Sequence, residues 1–374
     1  MSKIRITVLF GGQSSEHEVS RISAQCVLEN IDRSRFEIQT IGITKKGEWL
    51  KYEGDISLIG SGQWEEIARR QLRERKNAGL LSRYIENVPT LRALINYDDK
   101  DNSGETVDVV FPVLHGPNGE DGSVQGLLQL ADVPYVGCNI LASAAGMDKA
   151  FSKLVFANAG IPQADYIVVM RSEINEKIED ILGKVTEKFG WPCFVKPANA
   201  GSSVGVSKVK RPDDLMSALQ YAAEYDAKIL IEEFIKGREV ECAVLGNDNP
   251  IASTVGEILP SNEFYDYNAK YIDGKSVTII PADIEPSIME QVREYAVKAF
   301  KALGCSGLSR VDFFVEESGR VVLNEINTMP GFTDISMYSK LWEASGIPYT
   351  ELITRLIELA LENYRQKTRS YERK

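Results

Sequence analysis

Apolar residues recur along this chain with two periods, and the switches between those periods mark its elements. "IRITVLF" alternates, becomes fully apolar and runs into Gly11-Gly12, the pattern of a strand ending in a tight turn. "EHEVSRISAQCVLENI" then spaces its apolar residues along one helical face, and Ser15 with Glu18 fits a Ser-x-x-Glu capping box at its start. "FEIQTIGIT" and "VDVVFPVLHG" predict further strands, and "SVQGLLQLADVPYVG" a helix followed by a strand. This rhythm predicts an open parallel sheet over the first third of the chain. The charged "EEIARRQLRERKNAG" predicts a solvated helix or loop without chemistry. From "MDKAFSKLVFANAGIP" the rhythm changes. A helix leads into "DYIVVM", a polar helix, "CFVKPA", "GVSKV", another helix and "ILIEEFI", which predict a smaller α+β unit. From "VECAVLG" onward the chain is strand-rich, and it closes in helices such as "YTELITRLIELALENY". No internal repeat, low-complexity tract or long linker interrupts it.

One hairpin breaks its own pattern. "RVDFFVEESGRVVLNEINTMPGFTD" reads as two strands joined at Ser318-Gly319 and closed by Glu317 and Arg320. In that register Asp312 faces Glu325 and Arg310 faces Asn327, all on one face. Side chains directly opposite each other sit about 4.5–5.5 Å apart at Cβ. Two facing carboxylates repel unless a cation lies between them, and an all-oxygen set of Asp, Glu and Asn suits Mg²⁺. A solvated outer face is the plainer alternative, because Val311, Phe313, Val315, Val322 and Ile326 already give the hairpin one buried face. Upstream, "VKPANAGSSVGVSKV" sets Gly201, Ser202, Ser203 and Gly205 in a small-residue loop between two strands, with Lys196 ending the first. Bare amides in such a loop can cradle an anion. The loop is not GxxxxGK[ST], which excludes a P-loop NTPase, and a simple glycine-rich turn is the alternative.

Two residues near the N-terminal sheet are candidates on position alone. Glu16 falls in the first helical turn, where the helix dipole favours its ionised form. His115, one of two histidines, opens a Gly-rich loop at the C-terminal edge of a strand, where open α/β sheets place ligands. Composition narrows the class. With 374 residues, 43% hydrophobic and 26% charged, the chain is an ordinary globular protein. At this length about two or three domains are expected. A net charge of −11 argues against a general nucleic-acid binder. No apolar run approaches the ~18 residues of a membrane span, and the N-terminus lacks the features of a signal peptide. The five cysteines are dispersed in apolar contexts without metal-ligand spacing, which predicts reduced packing residues in a cytoplasmic protein.

Taken in order, MDK…VKP…GSSVG…IEEFI…SRVDFF…NEINTMPG resembles the ATP-grasp ligases, and "GGQSSEHEVS", "LHGPNGEDG" and "FYDYNAKY" narrow the resemblance to the D-alanine–D-alanine ligase family. It runs from Leu9 to the terminal helix and leaves only the charged stretch between about residues 50 and 105 unmatched. The resemblance implies an α/β chain of ATP-grasp fold. A Rossmann-like substrate domain would span 1–140, a central lobe with the phosphate loop 141–232, and a C-terminal lobe with metal site and lid 233–374. It implies ATP-dependent joining of two D-alanines through a D-alanyl phosphate, for peptidoglycan precursors. Lys149, Lys196, Ser202 and Ser203 would then meet nucleotide phosphates. Glu232, with the backbones of Glu233 and Ile235, would hold adenine, and Glu239 the ribose. Asp312, Glu325 and Asn327 would hold two Mg²⁺ ions, with Mn²⁺ as a substitute. Glu16 would bind the ammonium of the first D-alanine and His115 would approach its carboxylate. Arg310 and the Gly331 amide would meet the developing oxyanion, although an ion pair with Asp312 is the plainer reading of Arg310. The segment holding Lys270 and Tyr271 would close over ATP as a lid, and Tyr271, Ser202 and Glu16 would form a hydrogen-bonded set. The sequence leaves open whether Tyr271 or Ser336 is the base for the attacking amine. A cytoplasmic homodimer without nucleic-acid or membrane partners completes the expectation. D-Serine as second substrate, another ATP-grasp carboxylate–amine ligase and a non-catalytic nucleotide sensor are the alternatives.

Overall fold

A computed structural model describes residues 3–77, 107–259 and 277–367. Its first sheet is built on β1 (Ile4–Gly11), flanked in parallel by β2 (Phe36–Ile43) and β4 (Val109–Pro112); β3 (Trp49–Tyr52) pairs antiparallel with β2. The apolar run of β1 has a physical cause. Ile6 to Phe10 are buried, because a central parallel strand is covered on both faces. α1 (His17–Asn30) packs on β1, and α2 (Ser57–Ser61) packs on α1. α3 (Trp64–Asn77) is the charged stretch, and it is more than a solvated helix. Its Trp64 and Ala68 are buried, and Trp64 lies edge-on to Phe10 with ring centroids 4.8 Å apart. α4 (Ser123–Leu130) is followed by a single parallel bridge, Val110 to Tyr135, where a strand is expected from the sequence.

α5 (Ile140–Met147) and α6 (Lys149–Asn158) lead to the second sheet. There β5 (Tyr166–Met170), α7 (Ile178–Lys188), β6 (Cys193–Pro197), β7 (Ser207–Val209), α8 (Leu215–Ala223) and β8 (Lys228–Glu233) form an antiparallel sheet of order β5-β8-β6-β7, its core closed by α7 and α8. The third sheet, order β11-β10-β9-β12-β13, comprises β9 (Gly237–Gly246), β10 (Ile251–Leu259), β11 (Val277–Ile279), β12 (Gly307–Glu316) and β13 (Val321–Asn327). α9 (Pro286–Leu303) covers it, opening on Pro286 and ending at Gly304, whose φ of 68° suits glycine at a helix end. α10 (Met337–Ala344) and α11 (Tyr349–Gln366) close the chain. α11 buries Leu352, Ile353, Leu356, Ile357 and Ala360 in the same core as Val8, Phe111 and Leu308, so the first and third sheets share one interior.

Two local expectations fail. The capping box is not formed: Glu16 is the N-cap of α1, its N–H donates to Ser14 Oγ at 3.0 Å, and Glu18 pairs with Lys45 at 2.6 Å. The helix thus starts one residue later than a Ser15 N-cap requires. The hairpin turn is also longer than predicted. Glu316 and Arg320 close a three-residue loop, with Gly319 at φ 83°. Val315 therefore faces Val321, yet Arg310 still faces Asn327 and Asp312 faces Glu325, because Asn324 is bulged out of β13 and restores the register. Val322 consequently pairs with Phe314 and joins a small cluster with Ala164 and Ile235, away from the core face expected for it. All five cysteines are buried and unpaired. Burial pushes the thiols of Cys26, Cys193 and Cys242 up to about 12, as expected of packing residues. No described helix is long and apolar enough to cross a membrane.

Candidate active site

The second and third sheets face each other across a cavity of about 440 Å³. Its walls come from α6, β6 and the loop after it, β8 with its connector to β9, β10 and the β12–β13 hairpin. Lys149, Lys196, Ser202, Ser203, Glu232, Glu233, Ile235, Glu239, Asp312 and Glu325, all singled out in the sequence, line it. Lys270 and Tyr271, with the expected lid, lie outside the described residues.

One end is a buried charge cluster. Glu232 on β8 accepts an ion pair at each carboxylate oxygen: Lys196 Nζ at 2.5 Å from Oε2 and Lys153 Nζ at 3.0 Å from Oε1. Burial pushes the Glu232 carboxyl up, but Lys153 and then Lys196 outweigh it and hold it below the usual range. Burial pulls Lys196 down, and Glu232 only partly opposes this. Sequence reading missed Lys153. Its signal was available, since it stands four residues after Lys149 and so on the same face of α6, but a lysine on an amphipathic helix reads as solvated. It also missed Glu257, 3% exposed in its side chain and gripped by Arg238 through two contacts of 2.6 and 2.5 Å.

At the other end, the hairpin carboxylates are already met by cations. Arg310 Nε and Nη2 donate to the two oxygens of Asp312, each at 2.7 Å, and Nε lies 2.8 Å from Glu241 Oε2. The ion pair with Asp312, the plainer alternative for Arg310, is thus present. Burial pulls the guanidinium pKa down, but Asp312 and Glu241 raise it well above its ordinary value. Asn327 Nδ2 donates to Asp312 Oδ2 at 3.1 Å. Lys149 Nζ lies 3.3 Å from Glu325 Oε2 and donates to the Ala200 carbonyl at 2.8 Å, tying the hairpin to the small-residue loop. Ser202 and Ser203 in that loop hold φ values of 50° and 57°, an unusual pair for non-glycine residues. Among the described residues no group of three or more His, Cys, Asp and Glu side chains is gathered for a metal.

The loop also reaches the first sheet. Ser202 Oγ donates to Glu16 Oε1, and the Glu16 carboxylate is walled by two glycine backbones. A Cβ on Gly116 would fall 2.7 Å from Glu16 Oε2, and one on Gly201 2.9 Å from it. Two of the three members expected in the hydrogen-bonded set are therefore in contact. His115 is buried, with Nδ1 3.2 Å from the Met329 carbonyl oxygen and Nε2 3.1 Å from Ser23 Oγ. Burial lowers its pKa, against the opposing pull of Glu16, so the ring is neutral at pH 7. Gly331 and Ser336 lie together: a Cβ on Gly331 would sit 2.8 Å from Ser336 Oγ, which accepts the Thr333 N–H at 3.0 Å. Glu120, which the sequence reading passed over, accepts the Gly116 N–H at 2.6 Å. Burial and then Glu16 push its carboxyl up to about 8.

Models of the N- and C-terminal parts of D-ala D-ala ligases match residues 5–138 and 155–358. This chain belongs to the D-alanine–D-alanine ligase family. Among curated relatives, the D-alanine–D-alanine ligase of Acetivibrio thermocellus is 58% identical and that of Ruminiclostridium cellulolyticum 55%, each over 99% of both chains. Among solved structures, the VanG D-Ala:D-Ser ligase from Enterococcus faecalis superposes with a TM-score of 0.81 at 38% identity, covering 96% of this chain and 100% of that one. The D-alanine–D-alanine ligase from Coxiella burnetii also gives 0.81, at 35% identity over 98% and 96%. The mixed α/β architecture with its facing sheets is the ATP-grasp fold of this ligase family.

Proposed function

We propose that this protein joins two D-alanines into D-alanyl-D-alanine, converting ATP to ADP and phosphate. The observation that carries the reading is the contact of Glu16 with Ser202, which ties a buried carboxylate beside the first sheet to the small-residue loop at one end of the nucleotide-sized cavity. The Glu16 carboxylate receives the ammonium of the first D-alanine, and its carboxylate lies toward His115 and Arg310. Lys149, Lys196, Ser202 and Ser203 hold the triphosphate, Glu232 with the Glu233 and Ile235 backbones the adenine, and Glu239 the ribose. The γ-phosphoryl passes to the D-alanine carboxylate, giving an acyl phosphate and ADP. The second D-alanine, free of one ammonium proton, attacks the acyl carbon. Arg310 and the Gly331 amide meet the oxyanion as it forms, and phosphate leaves with the C–O bond electrons. Tyr271 and Ser336 are the two candidates for the base that takes that proton.

Asp312, Glu325 and Asn327 fit Mg²⁺: two carboxylates that line the cavity face each other in register, and the side-chain amide of Asn327, which touches Asp312, brings a third oxygen. When bound, Mg²⁺ or Mn²⁺ supplies charge neutralisation on the phosphates. The domain division at about residues 140 and 232 and a cytoplasmic homodimer belong to the same proposal. To test it, the purified protein is given ATP, Mg²⁺ and D-alanine, alone and with equal D-serine or D-lactate, and ADP release and product masses are measured. D-Alanyl-D-alanine should dominate near neutral pH. Dominant D-alanyl-D-serine would move the protein to the activity named for its Enterococcus structural relative, and absence of D-alanine-dependent ADP release would overturn ligation altogether.

A further inference from the structure

Glu232 holds two lysines where one suffices to balance it. Lys153 is 1% exposed, Glu232 5% and Lys196 8%, so the three groups form a buried array of two cations and one anion. The lysines are not equivalent. Lys196 ends β6 beside the small-residue loop and also reaches Asn324 Oδ1 at 3.5 Å on the hairpin, so it stands between Glu232 and the phosphate end of the cavity. Lys153 comes from the opposite side, on α6, with its Nζ 5.3 Å from the centre of the Tyr166 ring. Each lysine takes a different carboxylate oxygen. A triphosphate arriving at the loop draws Lys196 toward its own charge. A buried carboxylate left with no cation is strongly disfavoured. Lys153 is then the group that keeps Glu232 ionised and fixed.

We propose that Lys153 is a positioning residue for the nucleobase: through Glu232 Oε1 it holds the carboxylate as a hydrogen-bond acceptor for the 6-amino group of adenine and frees Lys196 for the triphosphate. The inference rests on the placement of adenine at Glu232 given above. Its chemical consequence is selectivity at one position of the purine. An ionised carboxylate accepts from a 6-amino group and repels a 6-oxo group. A carboxyl that has taken up a proton can donate to the 6-oxo group, and the discrimination shrinks.

The test is calorimetric titration of ATP and of inosine triphosphate into wild type, Lys153→Met, Glu232→Gln and the double variant, with KM for ATP and for D-alanine measured alongside. Losing one hydrogen bond to a charged acceptor should weaken ATP binding by roughly 10- to 100-fold in Lys153→Met. ITP binding should hold or tighten, and KM for D-alanine should not move. Once Glu232 is replaced, loss of Lys153 should have no further effect on the ATP-to-ITP ratio. If Lys153→Met does not fold, the comparison of Glu232→Gln with the double variant carries the test by itself. A folded Lys153→Met with the wild-type ratio, or a further drop in the double variant, overturns the role of Lys153. Wild type that binds both nucleotides equally overturns the adenine contact. Normal nucleotide selectivity without D-alanine-dependent ADP release would instead leave Lys153 in place and overturn ligation.

Discussion

Arg310 is tied into the structure at the place where the proposed chemistry needs it. Its guanidinium is shared between two buried carboxylates on adjacent strands, Asp312 and Glu241, and the first of these lines the cavity. Breaking such a buried pair from either side is costly, because the remaining charge has no partner. Asp312→Asn should therefore lower both turnover and stability. Glu325→Gln, on a half-buried group paired with Lys149, should lower turnover with little loss of stability. Metals in such sites contribute several kcal/mol, so a fall on the order of 10²–10³-fold in ADP release is expected for each. Near-wild-type turnover of Glu325→Gln at low Mg²⁺ would remove it from the metal set. Glu120 gives a pH prediction. Its carboxyl titrates near 8 when folded and near 4.5 when not, so between those values the folded state binds more protons. Its contribution to stability is complete below about 4.5 and is lost as pH rises through about 8. Urea midpoints between pH 5 and 9 should fall with pH more steeply in wild type than in Glu120→Gln. Parallel curves would show that Glu120 does not carry this linkage.

At the scale of elements, the hairpin shows what was legible in the sequence and what was not. Alternation alone put Arg310, Asp312, Glu325 and Asn327 on one face, and they share it. The turn and the bulge escaped because a bulge is a single extra residue that alternation cannot register, and here it cancels the longer loop. Val322 changed faces for that reason. Lys153 and Glu257 escaped for a different one. Their burial depends on partners supplied by other strands, and charge in a sequence reads as exposure. The capping box failed because the helix starts one residue later than the box requires, with Glu16 as its N-cap, and Glu18 pairs with Lys45 instead. Gly319 tests the corrected turn. Its φ of 83° costs a side chain about 1 kcal/mol, and a Cβ there would also come within 3.3 Å of Ile288 Cδ1. Gly319→Ala should lower the thermal midpoint slightly and leave KM for ATP and D-alanine unchanged, since the loop sits at the far end of the hairpin from the carboxylates. A change in either KM would show that the turn, not the bulge, sets the register at the site.

For the whole molecule, the candidate site lies where three sheets meet: Glu16 at the start of the helix that follows β1, Ser202 beside the second sheet, Asp312 and Glu325 on the third. The first and third are held in fixed relation by their common interior, with α11 as the wedge between them. Leu356 is fully buried in that interior and touches none of the candidate site residues by hydrogen bond or ion pair. Leu356→Ala should cost about 2–5 kcal/mol, the range for emptying a packed core position. The cost should not be local to the C-terminal helix. Trp64, packed under the first sheet, and Trp342, on α10, belong to the same cluster, so both should report the loss together. Fluorescence unfolding of variants keeping only one of these tryptophans should show the two midpoints falling by the same amount on Leu356→Ala. The second sheet has its own core around Val195, Leu219 and Ile231, and a probe at Trp191, packed against that core, should respond less. If only the Trp342 midpoint moved, the first and third sheets would be independent units. The contact between Glu16 and Ser202 would then have to be made by binding rather than by folding, because no shared core would hold its two sides together beforehand.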